Sequence, residues 1–146
     1  MGRFAAIQTA APSFGVEISA VGSGEIERGI VVFARGSNVG LIVIAQVAQM
    51  QRELIIALAA RYRLPAVYYF RRFVIEGGLI SFGNDQAHPY WLAASYVDRI
   101  LKGEKPADLP VQAPSKFDLV VNLKAAKALG LTIPETLLAT ADEVIQ

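Results

Sequence analysis

The residues best suited to chemistry stand just after short apolar runs. Gln46-Val47-Ala48-Gln49 follows Leu41-Ile42-Val43-Ile44-Ala45, Arg71-Arg72 follows Ala66 to Phe70, and Gly83-Asn84-Asp85 follows Leu79 to Phe82. In an open α/β sheet, ligands bind beyond the carboxyl ends of the strands. Read in that frame, Gln46 and Asn84 are hydrogen-bonding amides. Arg71, or Arg72 beside it, is a cation for a carboxylate. Asp85 is an acid, and Tyr69 and Phe82 are stacking faces. Such a set suits non-covalent capture of a small polar or aromatic solute. A plainer reading stands beside it: aromatic residues in strands pack into cores, and a lone basic pair is a solvated strand end.

Other chemistries find little support. There is no Cys and a single His, His88, which removes thiolate catalysis, disulfides and multi-histidine metal sites. His88 lies at a helix start without a positioned Ser and acid, so no triad is suggested. The carboxylates Glu17, Glu25, Glu27, Glu53 and Asp85 are scattered, and none forms an acid/base couple. Val21-Gly22-Ser23-Gly24-Glu25 begins like a dinucleotide fingerprint, but Glu27 stands where the third Gly is needed. The expectation is a protein that is not an enzyme and holds no cofactor or metal. A net charge of +1 offers no basic stripe for nucleic acid.

The elements that must position these residues follow from periodicity. A helix is expected over 3–11, ended by Pro12, then a strand over 16–21 and a turn at Gly22-Ser23-Gly24. A helix over 25–34 follows, with Ile26, Ile30 and Phe33 on one face and Gly36 as its left-handed stop. Residues 41–45 read as a parallel strand buried on both faces. Beyond them come a helix over 50–62, strands over 66–70 and 79–82, and an amphipathic helix over 87–102. Residues 104–116 hold three prolines and read as an extended connection. A strand over 117–121, a helix over 123–129 capped by Asn122 and Gly130, and a short helix over 134–140 complete the chain. Alternating strands and helices with short connections predict an α/β fold, a parallel sheet flanked by helices. No apolar run reaches the roughly 18–20 residues that span a bilayer, so the 53% hydrophobic content reads as a tightly packed α/β core.

Several stretches together carry a family resemblance. They are Ser95 to Val111, Asn122 to Pro134, Arg52 to Arg61, Leu64-Pro65-Ala66-Val67-Tyr68 and Gly77-Gly78-Leu79-Ile80-Ser81-Phe82-Gly83. The chain closely resembles the C-terminal half of the ABC-transporter substrate-binding proteins of the uncharacterised, TrpX-like kind. The resemblance implies a type I periplasmic-binding-protein-like fold, here truncated to about one lobe plus hinge and C-terminal elements. Residues 1–82 would form a second-lobe-like unit, and 83–146 the hinge crossing and C-terminal elements.

The implied function is solute binding for an ABC-type importer, without catalysis, the solute being an amino acid or small organic acid. The implied partners are that solute and a transporter permease. The alternative is a non-binding remnant lobe that only self-associates. Because the front half of the family pattern is absent, uncovered sheet edges and apolar faces point to a homodimer. Location would be periplasmic by resemblance. The residues given show no export signal, which would mean cytoplasmic if they are the complete product. The ligand-facing loops are the least family-like parts: Asn84 stands where the family commonly has Pro, and Phe82 where it commonly has Tyr.

Overall fold

The computed structural model describes residues 3–44 and 46–146, and the side chains of Arg3, Gln46 and Val47 also lie outside the described set. Seven α-helices occur among the described residues: α1 (Arg3–Ala10), α2 (Ile26–Phe33), α3 (Arg52–Arg61), α4 (Arg71–Ile75), α5 (His88–Leu101), α6 (Leu123–Leu129) and α7 (Glu135–Ala139). Five strands make one sheet in chain order: β1 (Leu41–Val43), β2 (Ala66–Tyr68), β3 (Ile80–Asn84), β4 (Phe117–Asn122) and β5 (Glu143–Ile145). Pairs β1–β2, β2–β3 and β4–β5 are parallel, whereas β3–β4 is antiparallel. The sheet is therefore mostly parallel and flanked by helices, as the alternation predicts, with one reversal where the chain returns from α5.

The register explains the core. Val43, Tyr68, Ser81, Val120 and Glu143 form one cross-strand row, and side chains in such a row share a face of the sheet. Onto this face pack α2, α3 and α4, burying Ile30, Ile55, Leu58, Phe73 and Val74 with Ala66 and Tyr68. The opposite face is barely covered near β1 and β2: Ile42 is 53% exposed and Val67 41%. The expectation of a β1 buried on both faces is thus corrected. An all-apolar strand needs helices on two sides, and here they cover one.

Four further readings change. Residues 16–21 make no strand. No ladder partner reaches them, and Val21 instead lies against the α-carbon of Gly29 in α2, where a Cβ would meet Val21 Cγ1 at 2.4 Å. The left-handed turn after α2 falls on Asn38 (φ 57°), not Gly36; Asn tolerates that region through its short polar side chain. The aromatic run after Pro65 leaves the sheet at Tyr68, and Arg71–Ile75 is a helix. Phe73 and Val74 are both fully buried, which neighbours on a one-faced strand could not be. Finally, β5 has only three residues, too short for a periodic signal. It is held by reciprocal bonds: Leu119 N–H donates to Asp142 Oδ2 at 2.7 Å, and Asp142 N–H to the Leu119 carbonyl at 2.9 Å.

Residues 85–116 form an arm that leaves β3 and rejoins at β4. Asp85 N–H donates to the Lys116 carbonyl at 3.1 Å, and Lys116 Nζ to Asp85 Oδ2 at 3.0 Å, closing the base of the arm. Its helix α5 buries no residue, and Tyr90, Trp91 and Leu101 are each more than three-quarters exposed. No helix among the described residues is long and apolar enough to cross a membrane.

Asn122 ties the sheet to its helices. Its side-chain oxygen accepts from Ala125 N–H at 3.0 Å, capping α6, and its amide nitrogen donates to the Val74 carbonyl at 3.2 Å, all in a buried position. Asn122→Ala removes a cap and a buried bond together. We expect a loss of about 1–2 kcal/mol, read as a melting temperature lower by roughly 3–8 °C. An unchanged melting temperature would mean that water replaces both bonds.

Candidate functional site

An open cleft of about 710 Å³ lies between α4, the end of β3 with the first residues of the arm, and the β4–β5 edge. That volume is in the range of sites for small organic solutes. It sits where the chain leaves β2 and β3 at their carboxyl ends, the position at which open α/β sheets bind ligands.

The floor depends on a close backbone crossing. At Gly83 the Tyr69 carbonyl lies so near that a Cβ would meet its oxygen at 1.9 Å. Only glycine lets the two segments approach this way. The crossing brings the Tyr69 hydroxyl onto Asn84, to whose Oδ1 it donates. Tyr69 also packs edge-on against Phe70, with ring centroids 5.0 Å apart, while Phe70 is buried in the core.

Helix α4 supplies the charged rim. Its Arg72 Nε donates to Glu76 Oε1 at 2.8 Å, and Arg52 from α3 donates to the other Glu76 oxygen. The two guanidiniums, Arg52 first, hold the Glu76 carboxyl below the usual glutamate range. Arg71 at the start of α4 reaches across to Glu143 of β5. On the far side, Lys116 and the Ala87 N–H (2.8 Å) hold Asp85 below its ordinary value, Lys116 acting most strongly. Beneath the site, burial pushes the Tyr68 phenol up to about 12, so it stays neutral.

Of the residues expected at the site, Tyr69, Arg71, Asn84 and Asp85 line this one cleft. Phe82 does not. The strand pleat turns it to the face opposite Ser81 and Gly83, where it stacks on Phe117 at 5.6 Å. The Gln46 side chain lies outside the described residues, and Gln49 from the same segment lines the cleft. Sequence reasoning missed Glu76, Asp118, Asp142 and Glu143. No spacing ties these four acids together; an α4 reading of 71–75 would have placed Glu76 beside Arg72, four residues apart on a helix. Among the described residues no group of His, Cys, Asp or Glu could hold a metal ion.

The pattern of the ABC transporter substrate binding protein family matches residues 10–145. The chain belongs to that family. A conserved domain protein from Vibrio cholerae O1 biovar El Tor is 30% identical with a TM-score of 0.80, over 97% of this chain and 49% of that one. An ABC domain from Streptococcus pneumoniae, solved in complex with L-Trp, is 26% identical with a TM-score of 0.82, over 98% and 51%. A ligand-free, open substrate binding protein with adhesive properties from Clostridium difficile shares the fold at 21% identity and a TM-score of 0.68, over 99% and 49%. The chain thus spans about half the length of these solved relatives. Comparison with curated proteins gives no match.

A carboxyl held low in the folded state stabilises it above the ordinary carboxylate range, and that contribution is lost as pH falls through the depressed value. Glu76→Gln should therefore lower the melting temperature at pH 7, with the gap to the parent narrowing on acidification and closing once the carboxyl is protonated in the folded chain as well as the unfolded one. A gap that persists at acid pH would assign Glu76 a role other than charge.

Proposed function

We propose that the chain holds a small solute in the cleft beside α4, without chemical conversion, as part of the solute-capturing component of an ABC-type importer. The observation that carries this reading is the cleft itself: Tyr69, Asn84 and Asp85 converge there from β2 and β3, segments apart in sequence. Family membership and the L-Trp complex of the pneumococcal relative support it. In this reading residues 1–82 belong to one lobe of a hinged receptor, and 83–146 cross its hinge. The partner is a transporter permease, and the place of work is outside the cytoplasmic membrane.

A thermal-shift panel of amino acids, small organic acids, amines and sugars tests the proposal. A solute at a hundred times its dissociation constant adds about 2.7 kcal/mol, or roughly 5–10 °C in a chain of this size. Tyr69→Ala and Asn84→Ala should each weaken the responding solute about tenfold or more, equivalent to about 1.4 kcal/mol. Unchanged affinity in both variants would move the site elsewhere.

We also propose that the chain self-associates through α5, because its Tyr90, Trp91 and Leu101 are left bare. Trp91 is the only Trp and is 79% exposed. Light scattering should give a dimer mass, and Trp91 emission should move to longer wavelength on dilution. A monomer mass at all concentrations would end this part of the proposal.

A further inference from the structure

The cations of the cleft are already engaged by protein carboxylates. Arg71 is on Glu143, Arg72 and Arg52 share Glu76, and Lys116 holds Asp85. The carboxylates outnumber them. Glu76, Asp85, Asp118, Asp142 and Glu143 line the cleft against two guanidiniums, Arg71 and Arg72. Arg52 and Lys116 reach Glu76 and Asp85 and, when counted, still leave one negative charge in excess. The excess has a location. Asp118 has its nearest cation, Lys116, 3.9 Å away, and that ammonium sits closer to Asp85, at 3.0 Å. Asp142 spends one oxygen on the Leu119 N–H.

A solute bearing only a carboxylate would have to break an existing ion pair to gain a cation, and would enter a field of its own sign. An ammonium meets the opposite situation: on the β4 side Asp85, Asp118 and Asp142 share the single ammonium of Lys116, and an aromatic ring, Tyr69, lies on the other. Resting on the reading of this cleft as a solute site, we infer that it selects its solute through a cationic amine rather than through a carboxylate. The ligand class is a small organic ammonium with an apolar or aromatic body. Arg71, expected from sequence to face a solute carboxylate, instead braces α4 against β5.

Two compounds with the same skeleton and opposite end groups test this, 2-phenylethylamine and 3-phenylpropionate, with putrescine and succinate as a pair lacking the ring. Binding to the unaltered chain is measured by calorimetry at low and high salt. We expect the amine of at least one pair to bind about tenfold or more tighter than its acid, with the preference shrinking as salt screens the field. Asp118→Asn, nearly isosteric, should cut that preference several-fold. An acid that binds as well as or better than its amine overturns the inference and leaves the solute site standing. A preference untouched by both salt and Asp118→Asn overturns it as well. No binding by these compounds or by any solute of the wider panel overturns both the inference and the site.

Discussion

The stack of Tyr68 on Phe73 is the contact from which the rest of the site is built. The rings lie 4.7 Å apart at 19°, both buried, one from the end of β2 and the other from α4. Burying two such side chains supplies several kcal/mol of apolar transfer energy, enough to pull the chain out of the sheet and into a helix directly after Phe70. Gly78 makes the stack possible, since a Cβ there would meet Tyr68 Cε2 at 2.6 Å and the Phe73 carbonyl oxygen at 2.8 Å. Once Phe73 and Val74 point into the core, helical geometry leaves Arg71, Arg72 and Glu76 to line the cleft.

The charged rim then follows by reach. Glu76 accepts from one guanidinium of its own helix and one of α3, and Arg71 spans to a strand residue 72 positions later. These pairs are partly exposed, where ion pairs contribute little stability on their own. Their larger effect is to occupy the cations, which leaves the electrostatic sign of the cleft to the acids of β4 and β5. In the solute site proposed for this cleft, the strand that completes the sheet would thereby also set the preferred charge of the solute.

The arm shows a different balance. Its base is pinned by paired backbone and side-chain bonds between Asp85 and Lys116, and inside it Arg99 grips Glu104. Yet no residue of α5 is fully buried; Leu92, Tyr96 and Arg99 are half-buried, the Tyr96 hydroxyl donates to the Pro110 carbonyl, and the rest of its order comes from the turn at Gly103 (φ 100°) and from local pairs. A fourteen-residue helix held this way is near the limit of independent helix stability in water. The amphipathic stripe of Tyr90, Ala94, Val97 and Leu101 is suited to a covering surface that the described residues do not provide.

Local physics made much of the fold legible from sequence. The period of apolar residues placed α2, α3, α5 and α6 to within a few residues. Asn122 and Gly130 marked the ends of α6 through cap chemistry, and β-branched runs marked β1 and β4. The family resemblance rested on stretches whose residue order alone was informative; Arg71, Asn84 and Asp85 were named by their position after expected strands, and Tyr69 as an aromatic face near the end of one. Tertiary structure decided what local patterns cannot encode. It turned an aromatic run into α4, because burial of Phe73 and Val74 outweighs β propensity. It left 16–21 without a ladder, and it added β5 through bonds to Leu119. It set Phe82 on the far face, since the pleat alternates side chains and only pairing fixes which side is covered. The charge of the cleft was likewise hidden, because it sums acids from segments far apart in the chain that meet only when the sheet is complete.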